Sequence, residues 1–304
     1  MSERPPLSVI IPHLNDHDGL AQCLRVLERE RGDVAGLEVI VVDNGSKELP
    51  EALVAEHGAK LMQEATPGPG PARTTGAMAA SAPILSFIDS DCFAEPGWAR
   101  AILDHFATPG GTPVIGGDVS IAWREPGRPD MIEAFEAIYN YRQRMYIEKQ
   151  NFSGTGNLAM PAEVFADVGP FAGINIAEDR DWGKRAAAKG YAVSFVEGMS
   201  VTTPAREDFA GVFHRIDRMV AHDFSIAGKS IKARLKWGIK ALALIASPIG
   251  EVFRIAASKR ISGFRAKALA LAGLTRTRVY RGSQMLALLL FPNRRPKSEG
   301  WSRG

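Results

Sequence analysis

Cysteine is scarce in this chain: Cys23 and Cys92 are the only two among 304 residues. Such a pair offers neither a disulfide framework nor the spacing of a zinc site, and it fits a reducing compartment. Long apolar runs are also missing. Residues 285–291 make an unbroken apolar-rich stretch of only seven, well short of the ~20 a membrane-spanning helix requires. The stretch before it is broken by Pro248, Glu251 and Arg254. Residues 1–6 are polar and lead directly into an apolar run, so no secretory leader is expected. Acidic residues almost vanish near the C-terminus. Residues 224–304 hold 17 Lys/Arg against Glu251 and Glu299, a balance of +15, while residues 1–223 hold 20 basic and 32 acidic residues, or −12. The formal net charge of +3 conceals this division. It predicts a main domain over 1–222 and a basic helical region over 223–304, with an anionic partner, nucleic acid or a membrane surface, for the second.

Residues 7–12 read as a buried strand stopped by Pro12, followed by helical spacing over 19–31 with Leu20, Cys23, Leu24 and Leu27 on one side. A second strand over 37–42 runs into the turn residues Asp43-Asn44-Gly45-Ser46. Helices are predicted over 51–57 and, after the Pro/Gly-rich loop 67–71, over 72–80; a third strand follows at 84–88. Strand–helix alternation with near-continuous apolar strands predicts an α/β fold, a mainly parallel sheet flanked by helices. Further on, a strand is expected over 113–121, a helix over 129–149, a glycine-containing loop over 151–160, a helix over 178–188 and a strand over 192–196.

The third strand delivers Asp89-Ser90-Asp91 into a loop. Taken alone, an Asx-rich turn is the commoner explanation. Two carboxylates one residue apart also suit a hard divalent cation, Mg²⁺ or Mn²⁺, which prefers oxygen ligands. Asp16, Asp43 and the Asp89/Asp91 pair all lie just beyond strand ends, where ligands gather in such sheets.

Ser8–Pro12, Val41–Ser46, Ala72-Arg73 with Gly76, Asp89-Ser90-Asp91, the 154–160 segment, Val168–Phe171, and Glu178–Trp182 running into Gly190-Tyr191 occur in an order and spacing that resembles the family 2 glycosyltransferases, which have the GT-A fold. The likeness covers roughly residues 7–200. It implies a metal-dependent, inverting glycosyltransferase that takes a sugar from a nucleotide sugar, a UDP-sugar by expectation. On the same footing, Asp43 would accept from the uracil or ribose and Pro12 would end β-structure beneath the base, with Asp16 supporting that pocket or capping a helix. Arg73 would reach the diphosphate. Asp89 and Asp91 would serve the metal, Asp91 directly and Asp89 through water or ribose. Asp179 would take the proton from the acceptor hydroxyl. The other reading of Glu178-Asp179 is a pair of favourable acids in a helix's first turn, after the Gly173/Asn175 loop. Glu178 and Asp181 would orient acceptor or base. Trp182 would stack on a sugar or, better, pack in the core. Asn157 would offer hydrogen bonds to acceptor hydroxyls.

This chain departs from the family pattern in places. Pro161-Ala162 follows Met160 where relatives often carry arginines, and residues 200–206 contain no histidine for the metal. Arg206 is then the candidate for donor phosphate, ahead of His214. The Gln/Arg-x-x-Arg-Trp signature of processive polysaccharide synthases is missing, which favours one sugar per encounter. Rival readings are a dehydrogenase, a sugar nucleotidyltransferase of related fold and a non-catalytic nucleotide-sugar-binding module at the membrane. Pro67-Gly68-Pro69-Gly70 lacks the spacing a dehydrogenase needs, and His13-Leu14-Asn15-Asp16 is not a nucleotidyltransferase loop.

On a helix over 229–245, Ile231, Leu235, Ile239, Leu242 and Ile245 share one side and Lys229, Lys232, Lys236 and Lys240 the other. Such a helix suits peripheral attachment to the inner, cytoplasmic face of a cell membrane. The competing expectation is a helical subdomain whose apolar face packs on the catalytic core. No nucleic-acid motif is present. A membrane location would suit a saccharide or lipid-linked acceptor in cell-surface polysaccharide or glycolipid assembly.

Overall fold

The computed structural model describes residues 4–174, 176–228 and 230–291. Asn175, Lys229 and residues 292–304, which include Glu299, lie outside the described residues. The chain folds into two compact units, each built from two segments. One comprises the chain up to Ser120 with Arg142–Thr203; the other comprises Ile121–Tyr141 and the chain from Pro204 onward. The boundary expected at 222 instead falls inside a helix, Phe209–Ile226. Charge segregation marks the sequence, whereas packing draws 121–141 into the second unit.

In the first unit, β1 (Leu7–His13), β2 (Glu38–Asp43) and β4 (Ile84–Ile88) are buried on both faces, which is why they read as continuous apolar runs. With β3 (Lys60–Gln63), β6 (Val114–Gly116), β8 (Asn157–Pro161) and β9 (Val193–Phe195) they form a seven-stranded sheet ordered β3-β2-β1-β4-β8-β6-β9. β1 is parallel to β2 and β4, while β8 runs antiparallel to β4 and β6. A small sheet pairs β5 (Phe93–Ala94) antiparallel with β10 (Val201–Pro204), and β7 (Val119–Ala122) completes it.

Helices cover the large sheet for local reasons. Asp16 caps α1 (His17–Asp33), accepting from the Gly19 N–H at 3.0 Å, and Leu20, Cys23, Leu24 and Leu27 are buried as the periodicity predicts. α2 (Glu51–Glu56) is short. In α3 (Pro69–Ala79), which opens with Pro at its start, a Cβ on Gly76 would lie 2.4 Å from Ile10 Cγ2, so only glycine lets the helix settle this close to β1. α4 (Trp98–Ala107), α6 (Gln143–Gln150), α7 (Ala162–Val168) and α8 (Glu178–Ala188) complete the layers. Phe87, Leu158, Met160, Phe165, Phe171 and Trp182 lie in one core cluster.

Four local expectations are corrected. β3 was not foreseen, because its four residues are exposed or half-buried and carry no alternation. The strand over 113–121 is two strands, β6 and β7, broken at Gly117, where a Cβ would lie 1.5 Å from the Met199 carbonyl oxygen. The helix over 129–149 is two helices, α5 (Met131–Tyr139) and α6, parted where Asn140 and Arg142 leave helical geometry. The loop over 151–160 ends in β8, whose residues Leu158, Ala159 and Met160 are fully or almost fully buried.

The second unit is helical. α5 opens with a capping box, Asp130 and Glu133 each accepting from the other's N–H. It packs with α9 (Phe209–Ile226), α11 (Pro248–Ala257) and α12 (Phe264–Leu290) around Ile132, Ala134, Ile138, Phe209, Ile255 and Leu274. α10 (Ile231–Ala246) joins through Trp237 and Ala241, against Val220, Met285 and Leu288. Among the described residues no helix is long and apolar enough to cross a membrane.

Candidate active site

β1, β2 and β4 all end at the same edge of the sheet, β1 and β2 in His13 and Asp43 and β4 just before Asp89. His13 and Asp43 are register partners at the ends of β1 and β2. His13 Nδ1 lies 3.1 Å from Asp43 Oδ1, and both side chains are buried. Asp43 Oδ2 accepts from the backbone N–H groups of Gly45 and Ser46, each at 3.0 Å, so the expected turn at 43–46 is formed. Burial by itself raises the Asp43 carboxyl, but hydrogen bonds from Ser46, His13 and Gly45 outweigh it and hold the group below the usual carboxylate range. Pro12 sits one residue earlier in β1, opposite Val42. Asn44 then pins the next loop: its amide donates to the carbonyls of Glu64 and Thr66, and its oxygen accepts from the Gly68 N–H at 2.7 Å.

β4 releases Asp89 and Asp91 beside α1. Ligating atoms of Asp89, Asp91 and Cys92 lie within 4.8 Å of one another. Burial, then the charges of Asp89 and Asp16, push the Asp91 carboxyl up to about 6. Burial, then the charges of Asp89 and Asp91, push the Cys92 thiol up, so it stays protonated. Gly156 comes so near that a Cβ there would lie 2.7 Å from Asp89 Oδ2.

Arg73, on α3, is buried and joins two parts of the chain. Its Nη2 donates to Asp89 Oδ1 and its Nη1 to Glu178 Oε1 at 2.9 Å. Glu178 begins α8, and Asp179 follows it, its Oδ1 accepting from the Arg180 N–H at 2.6 Å. Burial, with a further push from Glu178, raises the Asp179 carboxyl above its ordinary value, against the lowering effect of that N–H and of Arg73. Thus Asp16, Arg73, Asp89, Asp91, Glu178 and Asp179 converge, although 163 positions separate the first from the last.

Residues 8–168, more than half of the chain, match the profile of Glycosyl transferase family 2. Glycosyltransferase AglE of Haloferax volcanii is 30% identical over 213 residues, spanning 67% of this chain and 69% of that protein. The chain belongs to glycosyl transferase family 2. Among solved structures, the mannosyltransferase PcManGT of Pyrobaculum calidifontis, in complex with GDP-Man and Mn²⁺, superposes with a TM-score of 0.56 at 19% identity, covering 96% of this chain and 89% of that one. Glucosyl-3-phosphoglycerate synthase of Mycobacterium tuberculosis, in complex with Mn²⁺, UDP and glucosyl-3-phosphoglycerate, gives 0.51 at 21% identity, covering 73% and 79%. These likenesses establish the GT-A fold. Membership of the family sets aside the dehydrogenase and nucleotidyltransferase readings.

Other candidate residues of this family 2 glycosyltransferase have different surroundings. Asn157 is fully buried: its oxygen accepts from Trp98 Nε1 at 2.9 Å, and its amide donates to the carbonyls of Asp118 and Met199, both at 2.8 Å. It ties strand ends together inside the fold and does not face acceptor hydroxyls. Trp182 is a core residue, donating to the Gly169 carbonyl at 3.0 Å. Asp181 pairs with Arg185 one turn on. In the second unit, the Arg206 guanidinium is joined to the buried carboxylate of Glu136, and His214 is exposed on α9. Sequence reasoning missed His13 and Asn44. The one available signal was their position, polar residues flanking Asp43 in register at the strand ends.

Proposed function

We propose that this glycosyltransferase moves one sugar, with inversion at the anomeric carbon, from a nucleotide sugar, a UDP-sugar by preference, to a hydroxyl of a saccharide or lipid-linked acceptor. The observation that carries the reading is the Arg73 bridge, which holds Asp89 and the Glu178-Asp179 helix start beside one another. The neighbours that bind GDP-Man or UDP with Mn²⁺ support the donor class.

Asp89 and Asp91 offer hard oxygen donors in a crowded anionic setting, where Asp16 adds to the repulsion felt by Asp91. That donor set fits Mg²⁺ or Mn²⁺, and the protonated Cys92 thiol is a poor ligand for either. Such an ion, when bound, supplies positive charge to the two phosphates of the departing nucleotide. Asp43, kept ionised by its N–H partners, and Pro12 would receive the base and ribose. As the acceptor oxygen bonds to the anomeric carbon and the carbon–phosphate-oxygen bond breaks, the acceptor's proton passes to Asp179. Arg73 keeps Glu178, and with it the first turn of α8, in place for that transfer. Asn157 stays outside this scheme, since its polar groups are committed to Trp98, Asp118 and Met199; Arg206, one of whose guanidinium nitrogens pairs with Glu136, is assigned no role in it. We further assign the acceptor to an anionic membrane on its cytoplasmic side, in cell-surface polysaccharide or glycolipid assembly; the +15 balance of residues 224–304 supports it.

Thermal stabilisation by UDP, GDP and their sugars, with and without Mn²⁺, tests the donor site. A Mn²⁺-dependent rise in melting temperature with one nucleotide is expected, and no response to any of them would overturn the proposal.

A further inference from the structure

The amphipathic pattern of α10 left open whether its apolar side packs inward. The structure divides that side. Ile245 lies against Gly282 of α12, where a Cβ would come within 2.4 Å of Ile245 Cγ1. Ile231, Leu235, Ile239 and Leu242 are 87%, 65%, 60% and 58% exposed. α10 is instead held by a different arc, through Trp237, whose Nε1 donates to the Met285 carbonyl at 2.9 Å, and Ala241. At about 100° per residue the four exposed apolar positions fall within an arc of about 80°, turned away from Trp237 and Ala241. Lys232, Lys236 and Lys240, all exposed, occupy the arc beside them. No acidic residue interrupts the helix. α11 adds Ile249 and Phe253, 79% and 84% exposed.

Four large aliphatic side chains in water along one helix mark a surface that meets something apolar. A row of lysines immediately beside them requires that the same partner be anionic. We infer that the outward face of α10 docks on an anionic lipid bilayer, Ile231, Leu235, Ile239 and Leu242 entering the acyl boundary and Lys232, Lys236 and Lys240 meeting the headgroups. A bilayer presents both layers at the depth separation an interfacial helix needs. A second copy of the chain fits less well, because a twofold contact through this stripe brings one lysine row towards its own image. Polyanions without an apolar phase leave the four aliphatic residues wet. This inference deepens the membrane-presented acceptor proposed above, and its readout needs no turnover, so either can fail without the other.

The experiment is flotation of the full-length protein with phosphatidylcholine vesicles, with and without 30% phosphatidylglycerol, accompanied by sedimentation velocity without lipid. The wild type should float with the anionic vesicles and dissociate progressively as salt is raised. Leu235→Ser with Ile239→Ser, both at exposed positions, should lower the partition coefficient about tenfold or more while leaving near-UV circular dichroism and melting temperature unchanged. Lys232→Glu, Lys236→Glu and Lys240→Glu together should do the same for anionic vesicles only. A wild type that stays with the lipid-free fraction, or variants that float as well as it does, would overturn the inference. So would a lipid-free dimer that the Leu235→Ser/Ile239→Ser pair converts to monomer, which would make the face a contact between copies.

Discussion

Arg73 and Glu178, 105 positions apart in sequence, are joined by a 2.9 Å hydrogen bond from the guanidinium Nη1 to the carboxylate Oε1. The same guanidinium holds Asp89, so one buried side chain connects the acidic loop after β4 with the first turn of α8. Arg73→Met should leave two carboxylates facing each other without their cation. A loss of about 2–4 kcal/mol is expected, below or near the usual cost of breaking a buried pair because Asp89 and Glu178 are partly open to water. Urea denaturation measures it, and Arg73→Lys should rescue only in part, since a single ammonium does not span both partners.

Asp179→Asn removes the group assigned to deprotonate the acceptor. Turnover should drop by about 10²–10⁴-fold while nucleotide binding, measured by calorimetry, stays within a few-fold of wild type. Unchanged turnover would remove Asp179 from the mechanism.

Asp91→Asn should abolish Mn²⁺-dependent thermal stabilisation and reduce turnover by about a hundredfold or more. Full activity would remove the metal assignment.

Protons compete with a divalent ion for Asp91. Its ion-free carboxyl is raised to about 6, from an ordinary value near 3.8. Above about 6 the site is already ionised and Mn²⁺ affinity should be flat with pH. Below it, bound proton must first leave, and affinity should fall by about tenfold per pH unit. Calorimetry between pH 5 and 8 in buffers of different ionisation enthalpy would detect the released proton.

Gly156→Ala places a methyl 2.7 Å from Asp89 Oδ2. Asp89 or the 154–157 loop must shift. Mn²⁺ affinity should weaken at least several-fold with little change in melting temperature, because the strain falls on the loop and not on the core.

Sequence was most informative where burial is two-sided or a helix start is chemically marked. β1, β2 and β4 declare themselves by apolar runs, and α8 begins and ends where the pattern puts it, at Glu178 and Ala188. β3 was silent because Lys60–Gln63 is short and largely wet. Acidic residues at strand ends pointed to the site only through their order and spacing with the other segments, since each alone reads equally as a turn or cap residue, as Asp16 and Asp43 also are. The partners of those acids were not legible. Nothing local says that Arg73 reaches Glu178, or that the Asn157 amide turns inward to three partners; both depend on which segments the fold brings within 3 Å. The assignment of residues 121–141 to the second unit was hidden for the same reason: a helix pattern specifies an apolar face, not the core that will receive it.

That split origin has a consequence during synthesis. α5 leaves the ribosome about 150 residues before the end of α12, whose Gly273 sits against Phe135. At translation speeds of about 5–20 residues per second, the apolar side of α5 waits roughly 7–30 s for its mate. A nascent chain stalled between these helices is therefore the form most exposed to aggregation and most dependent on chaperones.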